Sequence, residues 1–377
     1  MSRCETVGQR NRRDADRAVP AASARARYRA GIIGLGQIGN LFDEDPKRTD
    51  IWTHAGAYLA MPEMELVAGA DPDADRVQRF IDGRGVANGY RDFREMLRHE
   101  TLHLVSVCSP TELHAEMVME AVKAGVKAIF CEKPLAATLE ESADMIEACE
   151  TAGVVLAVNH SRRWDPVYVA AKHLLEEGAI GEVESIVGYY PGHVYTMGTH
   201  LFDLMRWFGG DVEWVCGDLT RHAETDPRRE PSLSGSLHFR GGAHGSIVCG
   251  RDRKNHIFEL DLLGHDGRLS ISGDGDRLAL SRFDESPRYS GYRELGLASH
   301  PERGIARNRL MTAIRDILTC VEAGGVPACS GRDGMAAVEI AWALTRSATG
   351  RGQSRLHIPL YRLPRKDTVR VAFGRRP

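Results

Sequence analysis

The sequence predicts an α/β fold with a doubly wound parallel sheet in residues 28–158, followed by an α+β domain in residues 159–377. Three observations carry this. Apolar, strand-like runs alternate with helix-length segments up to about residue 160, the pattern of a parallel sheet covered on both faces. A Gly-x-Gly-x-x-Gly turn, GLGQIG, follows the first such run. Beyond residue 160, strand-like runs succeed one another without intervening helices, which argues a mostly antiparallel sheet.

The elements follow in order. Residues 1–27 are rich in Arg, Ala and Ser and nearly lack large apolar side chains, so they read as a disordered tail. Arginines without an apolar segment make no secretory signal, and Glu5, Asp14 and Asp16 count against a transit peptide. RAGIIGLG, MELVAGAD, LHLVSVCSP, VKAIFCEKP and VVLAVNH are strands. Glu112–Ala124 and LEESADMIEACETAG carry helical spacing. In the second half, VYVAAKHLLEEG and GTHLFDLMRWFGG are helices, and IGEVESIVGYY is a strand. DVEWVCGDL, LSGSLHFR, GSIVCGR, IFELDLLG, GRLSIS and RLALSRF are further strands. GRDGMAAVEIAWALTRSATG is a long helix and RLHIPL a last short strand.

Bulk properties narrow the function. A chain of 377 residues, 42% hydrophobic and 27% charged, has material for two cores. The net charge of −3 gives no electrostatic case for nucleic acid or a membrane surface. No apolar run approaches the roughly 18 residues of a membrane span. The eight cysteines include no Cys-x-x-Cys pair, so reduced thiols in a cytoplasmic protein are expected, with no metal site.

The glycine turn suits a dinucleotide. Gly34 permits the tight turn, Gly36 lets a pyrophosphate approach the backbone, and Gly39 allows close helix–strand packing. Gln37 and Ile38, between them, share the cofactor contact. Glycines also end strands for purely steric reasons. Asp71 closes the next strand, where a carboxylate accepts bonds from a ribose diol or caps the helix in DPDADR; both roles can coexist. It lies 71 − 39 = 32 positions beyond Gly39, more than the usual ~20, because NLFDEDPKRTDIWTH (40–54) is inserted. An acid there repels a 2′-phosphate, so NAD is favoured over NADP, with Arg76 as the residue able to reach a phosphate.

Glu132, Lys133 and Pro134 stand at the carboxyl end of a strand, where ligands bind in open α/β sheets. A hydride leaving an alcohol carbon requires that something take the hydroxyl proton. Lys133 does so if burial and the positive nicotinamide lower its pKa towards neutrality. Glu132 opposes that shift and is assigned to positioning. Pro134 fixes the turn, with a cis bond before it expected. A surface lysine in a strand-to-helix loop is the plainer alternative.

With these residues in view, the sequence resembles the glucose–fructose oxidoreductase / inositol dehydrogenase / rhizopine-catabolism (Gfo/Idh/MocA) family from about residue 29 to 360. The matching stretches are GLGQIG, Asp71, CSPTELH (108–114), AGVKAIFCEKPLA (124–136), NHSRRWDP (159–166), GTHLFDLMRWFGG (198–210) and GRDGMAAVEIAWALTRSA (331–348). The resemblance implies a Rossmann domain, then a domain with a large, open, mostly antiparallel sheet, with the active site between them. It implies Lys133 as catalytic lysine, His200 as catalytic histidine and Asp203 as a neighbouring carboxylate. Ser109, Pro110, Thr111 and His114 match a loop passing the cofactor, Glu132 accompanies Lys133 there, and Arg163 and Trp164 match a segment reaching the nicotinamide. Asn159 opens the matching NHSRRWDP stretch and is expected at the substrate.

Read without the family, these residues have plainer roles. His200 can be a helix-start residue, Asp203 a partner to Arg206, Ser109–His114 a loop and cap, and Arg163 with Trp164 an interface pair. One position departs from the pattern: many members carry an aspartate four residues before the histidine, where this chain has Thr196. A threonine can hydrogen-bond a hydroxyl but cannot act as a base, so Thr196, Tyr195 and His193 are expected as substrate contacts.

The expected protein is an NAD-dependent dehydrogenase, or the reverse ketoreductase, acting on a ring hydroxyl of a sugar, aminosugar or cyclitol. Asp43, Glu44 and Asp45 in the insertion suit a cationic aminosugar, as in antibiotic assembly, if they border the pocket; otherwise they are a solvated acidic loop. The rival readings are a non-catalytic dinucleotide-binding sensor and a dehydrogenase or imine reductase of a non-sugar molecule. A metal hydrolase on His160, His193, His200 and Asp203 lacks the short fixed spacing of such sites. Alternating apolar and polar residues in strands such as LSGSLHF leave one sheet face needing cover, so a homodimer or homotetramer through that face is expected.

Overall fold

A computed structural model describes residues 28–219, 230–250, 254–302, 308–350 and 355–358; the tail expected at 1–27 lies outside them. The five apolar runs of the first half, joined by a short polar strand (Asn88–Tyr90) that no such run marked, form six parallel strands: β1 (Tyr28–Ile33), β2 (Met64–Ala70), β3 (Asn88–Tyr90), β4 (Leu104–Val107), β5 (Ala128–Cys131) and β6 (Val155–Val158). Their order is β3-β2-β1-β4-β5-β6. β4 and β5 are buried along their whole length, as a sheet covered on both faces requires. Helices α1 (His54–Ala60), α2 (Ala74–Arg84), α3 (Phe93–His99), α4 (His114–Lys123) and α5 (Leu139–Ala152) connect them. The caps are legible in sequence. Thr138 and Glu141 form a reciprocal capping box on α5, and Asp73, not Asp71, caps α2 through the N–H groups of Asp75 and Arg76.

The insertion is a tethered loop. After the glycine turn come a π-helical turn (Gln37–Leu41) and a 3-10 turn (Phe42–Glu44), before Thr53 caps α1. Asp43 accepts the Trp52 N–H at 2.7 Å, pairs with Arg84 at 3.1 Å and bonds the Thr53 hydroxyl. Glu44 pairs with Arg79 at 2.6 Å, and Asp45 accepts the Lys47 N–H at 3.0 Å. The acids at 43–45 are therefore matched by residues of this chain.

Among the described residues the second sheet has ten strands: β7 (Val183–Tyr190), β8 (Val212–Leu219), β9 (Leu233–Phe239), β10 (His244–Cys249), β11 (Glu259–Gly264), β12 (Gly267–Ser272), β13 (Arg277–Glu285), β14 (Arg293–Leu295), β15 (Ser299–Glu302) and β16 (Leu356–His357). β10 runs parallel to β7, and its other pairings are antiparallel. In β11, Leu260 and Leu262 are buried while Asp261 and Leu263 are half-exposed, so one face is core and the other more open. The core face packs against α6 (Pro166–Glu176), α7 (Thr199–Gly209) and the long C-terminal helix, with Tyr168, Leu201, Phe202 and Leu344 buried there.

One helix of the second half was not anticipated. α8 (Arg309–Ala323) belongs by sequence to the second half, yet Leu310, Ala313, Ile314, Ile317 and Leu318 pack into the first core with Phe130 and Trp164. These residues recur at helical spacing and make one apolar stripe. The last helix, α9 (Gly331–Thr349), starts beside β6, where Ser330 bridges to Ala157, and runs on beneath the second sheet. The stretch assigned to the second domain thus helps to build the first. Among the described residues, no helix is long and apolar enough to cross a membrane.

Candidate active site

The glycine turn sits where the strand order reverses, between β1 and β4, the crevice in which such sheets bind ligands. Gly34 has φ +96°, a conformation that favours glycine, and a Cβ there would lie 2.7 Å from the Cys108 carbonyl. A Cβ on Gly39 would stand 2.1 Å from the Gly34 carbonyl oxygen. A Cβ on Gly36 would meet nothing nearer than Arg76 Nη1 at 3.8 Å, so the space above it is open. Gln37 is exposed and Ile38 half-buried on the same turn. Asp71 is buried; one carboxylate oxygen accepts the Leu35 N–H at 2.9 Å and the other the Asp73 N–H at 3.0 Å. Arg76, half-exposed, lies 3.5 Å from both Asp71 and Asp73. An open glycine cradle beside an anchored acid fits a dinucleotide without a 2′-phosphate.

Sheet register brings the second motif to this crevice. Ile33 pairs with Val107 and Val107 with Cys131, so Gly34, Cys108 and Glu132 leave their strands side by side. Lys133 therefore stands about two strand spacings, ~10 Å, from the glycine turn. It is half-buried, and its Nζ donates to the Thr196 carbonyl at 2.9 Å, across the cleft from β5. The Lys133–Pro134 peptide is cis, as expected. His114 is buried and ties two loops together: Nε2 lies 2.9 Å from the Ser109 carbonyl, and Nδ1 lies 3.0 Å from the Pro134 carbonyl. Pro110 is exposed and Thr111 half-buried at the start of the turn before α4.

Beneath Lys133 runs a polar network that the sequence did not reveal. Glu132 accepts the Asn159 amide at 2.6 Å and lies 3.2 Å from His54 Nε2; His54 Nδ1 lies 2.7 Å from Ser106 Oγ, which is 2.6 Å from the Tyr58 hydroxyl. Burial pushes the Glu132 carboxyl up, but the His54 hydrogen bond and charge, the Lys133 charge and the Asn159 amide together carry it below the usual range. Asn159 Oδ1 is buried without a partner among the described residues.

Close enough to Lys133 to feel its charge, His200 is buried near the start of α7. Burial, then the positive charges of Lys133 and Arg162, hold its imidazole neutral, well below the usual histidine range. Its ring meets that of His160 edge-on at 5.3 Å. Burial pushes His160 down to about 4, Asp203 opposing and Arg163 and Lys133 reinforcing. Both nitrogens of His160 and Nδ1 of His200 lack partners among the described residues.

Four expected site residues find partners within the chain. Asp203 receives two 2.8 Å hydrogen bonds from the Arg163 guanidinium, because a buried cation requires a buried anion. Arg163 thereby spends its fork in the interior, stacked over Trp207, rather than at the nicotinamide end. Trp164, also buried, donates to Asp316 at 2.9 Å and packs edge-on against Phe130. The Tyr195 hydroxyl is turned away to Thr345 at 3.3 Å. The carboxylate missing at position 196 arrives from another element: Glu230, just before β9, bonds the Thr196 hydroxyl at 2.6 Å. No local signal marks Glu230, and only the tertiary fold brings it there. Among the described residues no cluster of three metal-ligating side chains forms, and the seven cysteines present there are free thiols.

Residues 28–160 match the model of an oxidoreductase family with an NAD-binding Rossmann fold, and residues 190–274 match the GFO/IDH/MocA C-terminal domain. The chain is 28% identical over 343 residues to a myo-inositol 2-dehydrogenase of Thermotoga maritima, covering 85% of this chain and 96% of the relative. It is 30% identical over 272 residues to a scyllo-inositol 2-dehydrogenase (NAD(+)) of Bacillus subtilis, covering 64% and 73%. A levoglucosan dehydrogenase solved with NADH and levoglucosan superposes with a TM-score of 0.74 at 24% identity, over 88% of this chain and all of that one, which shows a shared fold. Fold, cradle and both halves of the sequence agree: the chain belongs to the GFO/IDH/MocA family and is an NAD-binding oxidoreductase.

Proposed function

We propose that the protein is an NAD-dependent dehydrogenase, or the ketoreductase working in reverse, of a ring hydroxyl in a sugar or cyclitol. The observation that carries this is the Lys133 side-chain nitrogen held across the cleft at Thr196, about 10 Å from the glycine turn, with the neutral imidazole of His200 beside it. Bound NAD supplies the hydride acceptor. The residues of this chain handle the proton. As the carbon–hydrogen bond breaks and the oxygen becomes a carbonyl, the hydroxyl proton leaves to a base formed by Lys133 and His200. His200 is neutral and so has a lone pair to offer. Asp203 is committed to Arg163 and fixes the helix bearing His200 rather than sharing the proton path. The acids at 43–45 are paired within the chain, so nothing on that loop favours a cationic aminosugar or ties the protein to antibiotic assembly. The names of the inositol relatives support a polyhydroxylated ring as substrate. The half-exposed face of the second sheet is where a second copy would dock, which the mass in solution by light scattering tests.

The decisive experiment follows reduced-cofactor absorbance with NAD and a panel of sugars and cyclitols. Lys133→Met should bind NAD within about twofold of the parent while losing about 10²–10⁴-fold in turnover, the range of general acid–base catalysis. No turnover on any panel member, or full turnover by Lys133→Met, sinks the reading.

A further inference from the structure

We infer that Glu230 is a positioning residue for this reaction: it fixes the turn that holds Lys133 and makes the Thr196 hydroxyl an obligate hydrogen-bond acceptor for the substrate. The inference rests on the proposed dehydrogenase reading and adds a specificity element to the same site. Glu230 is buried, and one carboxylate oxygen accepts the backbone N–H groups of Tyr195 and Thr196. The other oxygen accepts the Thr196 hydroxyl at 2.6 Å and lies 3.6 Å from His193 Nδ1. The residues that follow join in: the Pro231 carbonyl accepts the Val194 N–H at 2.9 Å, and Ser232 Oγ accepts the His193 N–H at 3.2 Å. Segment 230–232 thus clamps 193–196 at successive residues.

The turn needs a clamp. His193 has φ +65°, which non-glycine residues seldom adopt and which persists only where the surroundings over-determine it. Val194–Gly198 is a π-helical turn leading straight into the helix of His200. The far side of the Thr196 peptide carries the carbonyl that accepts Lys133 Nζ at 2.9 Å. One residue therefore meets Glu230 through its N–H and hydroxyl and Lys133 through its carbonyl. Displacing the carboxylate displaces the acceptor that aims the amine.

The hydroxyl carries a second consequence. A threonine hydroxyl has one proton and two lone pairs. With the proton given to Glu230, only lone pairs remain for a ligand, so half-buried Thr196 can receive a hydrogen bond but not offer one. It reads an O–H or N–H donor on the substrate. A ring that presents an O-methyl or keto group there leaves this acceptor unmet, which costs affinity in a buried site.

The test uses the full chain and the sugar or cyclitol turned over by the parent. Glu230→Gln keeps the size but replaces one acceptor with a donor. It should bind NADH within about twofold of the parent, lose about tenfold or more in kcat through the displaced Lys133, and show faster amide exchange across 193–198. Thr196→Val should raise KM for the hydroxyl substrate about tenfold, yet leave an O-methylated analogue unaffected, while Thr196→Ser should restore the parent behaviour. Parental kcat and KM in Glu230→Gln overturn the inference. Should that variant fail to fold, Thr196→Val decides: equal effects on the hydroxyl substrate and its O-methyl analogue overturn it. A parent that binds NADH and turns over no member of the panel overturns the proposed function and this inference together; an active parent with an indifferent Glu230→Gln overturns this inference alone.

Discussion

The two walls of the cleft are built by opposite means. The cofactor wall is local: six consecutive residues, Gly34–Gly39, make a turn whose shape is set by a left-handed φ and by contacts too close for a side chain. The chemical wall is assembled from five separated places: β5 supplies Lys133, the ends of β6 and α7 bring the two histidines, the 193–198 turn gives the Lys133 acceptor, and Glu230 comes from before β9. The lesson is that cofactor recognition here is a matter of backbone sterics, whereas proton handling is a matter of side-chain electrostatics inside a packed core. The first should tolerate changes of surrounding charge; the second should not.

The largest expected effect strikes the chemical wall. Asp203→Asn leaves the Arg163 guanidinium, 5% exposed, with the more distant Asp333 at 3.6 Å as its remaining carboxylate among the described residues, and should cost about 3–5 kcal/mol of stability. Denaturant unfolding measures it; an unchanged midpoint would mean that this ion pair is not what holds the helix of His200.

The next effect is of pH. His160 stays neutral in the folded chain down to about 4, whereas an unfolded histidine takes up its proton near pH 6.5. Its contribution is complete above pH 6.5 and drains away as the pH falls towards 4, by roughly 3 kcal/mol. Stability curves from pH 7.5 to 4.5 should slope less for His160→Gln than for the parent. Parallel curves would remove the buried neutral imidazole from the account.

The cofactor wall is sharpened by two glycines. Gly39→Ala drives a Cβ to 2.1 Å from a backbone oxygen and should cost about 1–3 kcal/mol of stability even without cofactor. Gly36→Ala meets no atom within 3.4 Å and should leave the free protein within about 0.5 kcal/mol of the parent, yet weaken NAD binding about tenfold. Equal behaviour of the two in thermal unfolding would show that the space over Gly36 is not the phosphate cradle. The smallest effect concerns Asp71. If Asp71 is the acid that reads the ribose, as proposed from its place after β2, Asp71→Ser should narrow the preference for NAD over NADP by about tenfold, read from the two dissociation constants.

Much of the fold could be read because its signals are local. Continuous apolar runs marked five of the six strands of the first sheet, the short polar β3 escaping, and alternation marked β7, β9 and β11, as the two-residue period of a strand requires. α8 escaped because an amphipathic stripe does not say which core it will join. Lys133 and His200 were visible through motif and resemblance. His54 and Glu230 were not, and His160 entered only as a rejected metal ligand, since a lone histidine or glutamate has no pattern until its partners arrive. Arg163 and Asp203, 40 residues apart, each looked available to a ligand until packing brought them together.

What the sequence settles unaided is whatever depends on near neighbours: where chain direction and glycine permit a turn, which runs are apolar enough to be strands, and that Asp71 and Lys133 must leave strands at one edge of one sheet. What the tertiary structure alone decides is charge state and partnership, because both depend on burial and on groups far apart in the chain. An isolated histidine is half-protonated near pH 6.5; His200 is neutral because the fold withdraws it from water and sets Lys133 and Arg162 beside it.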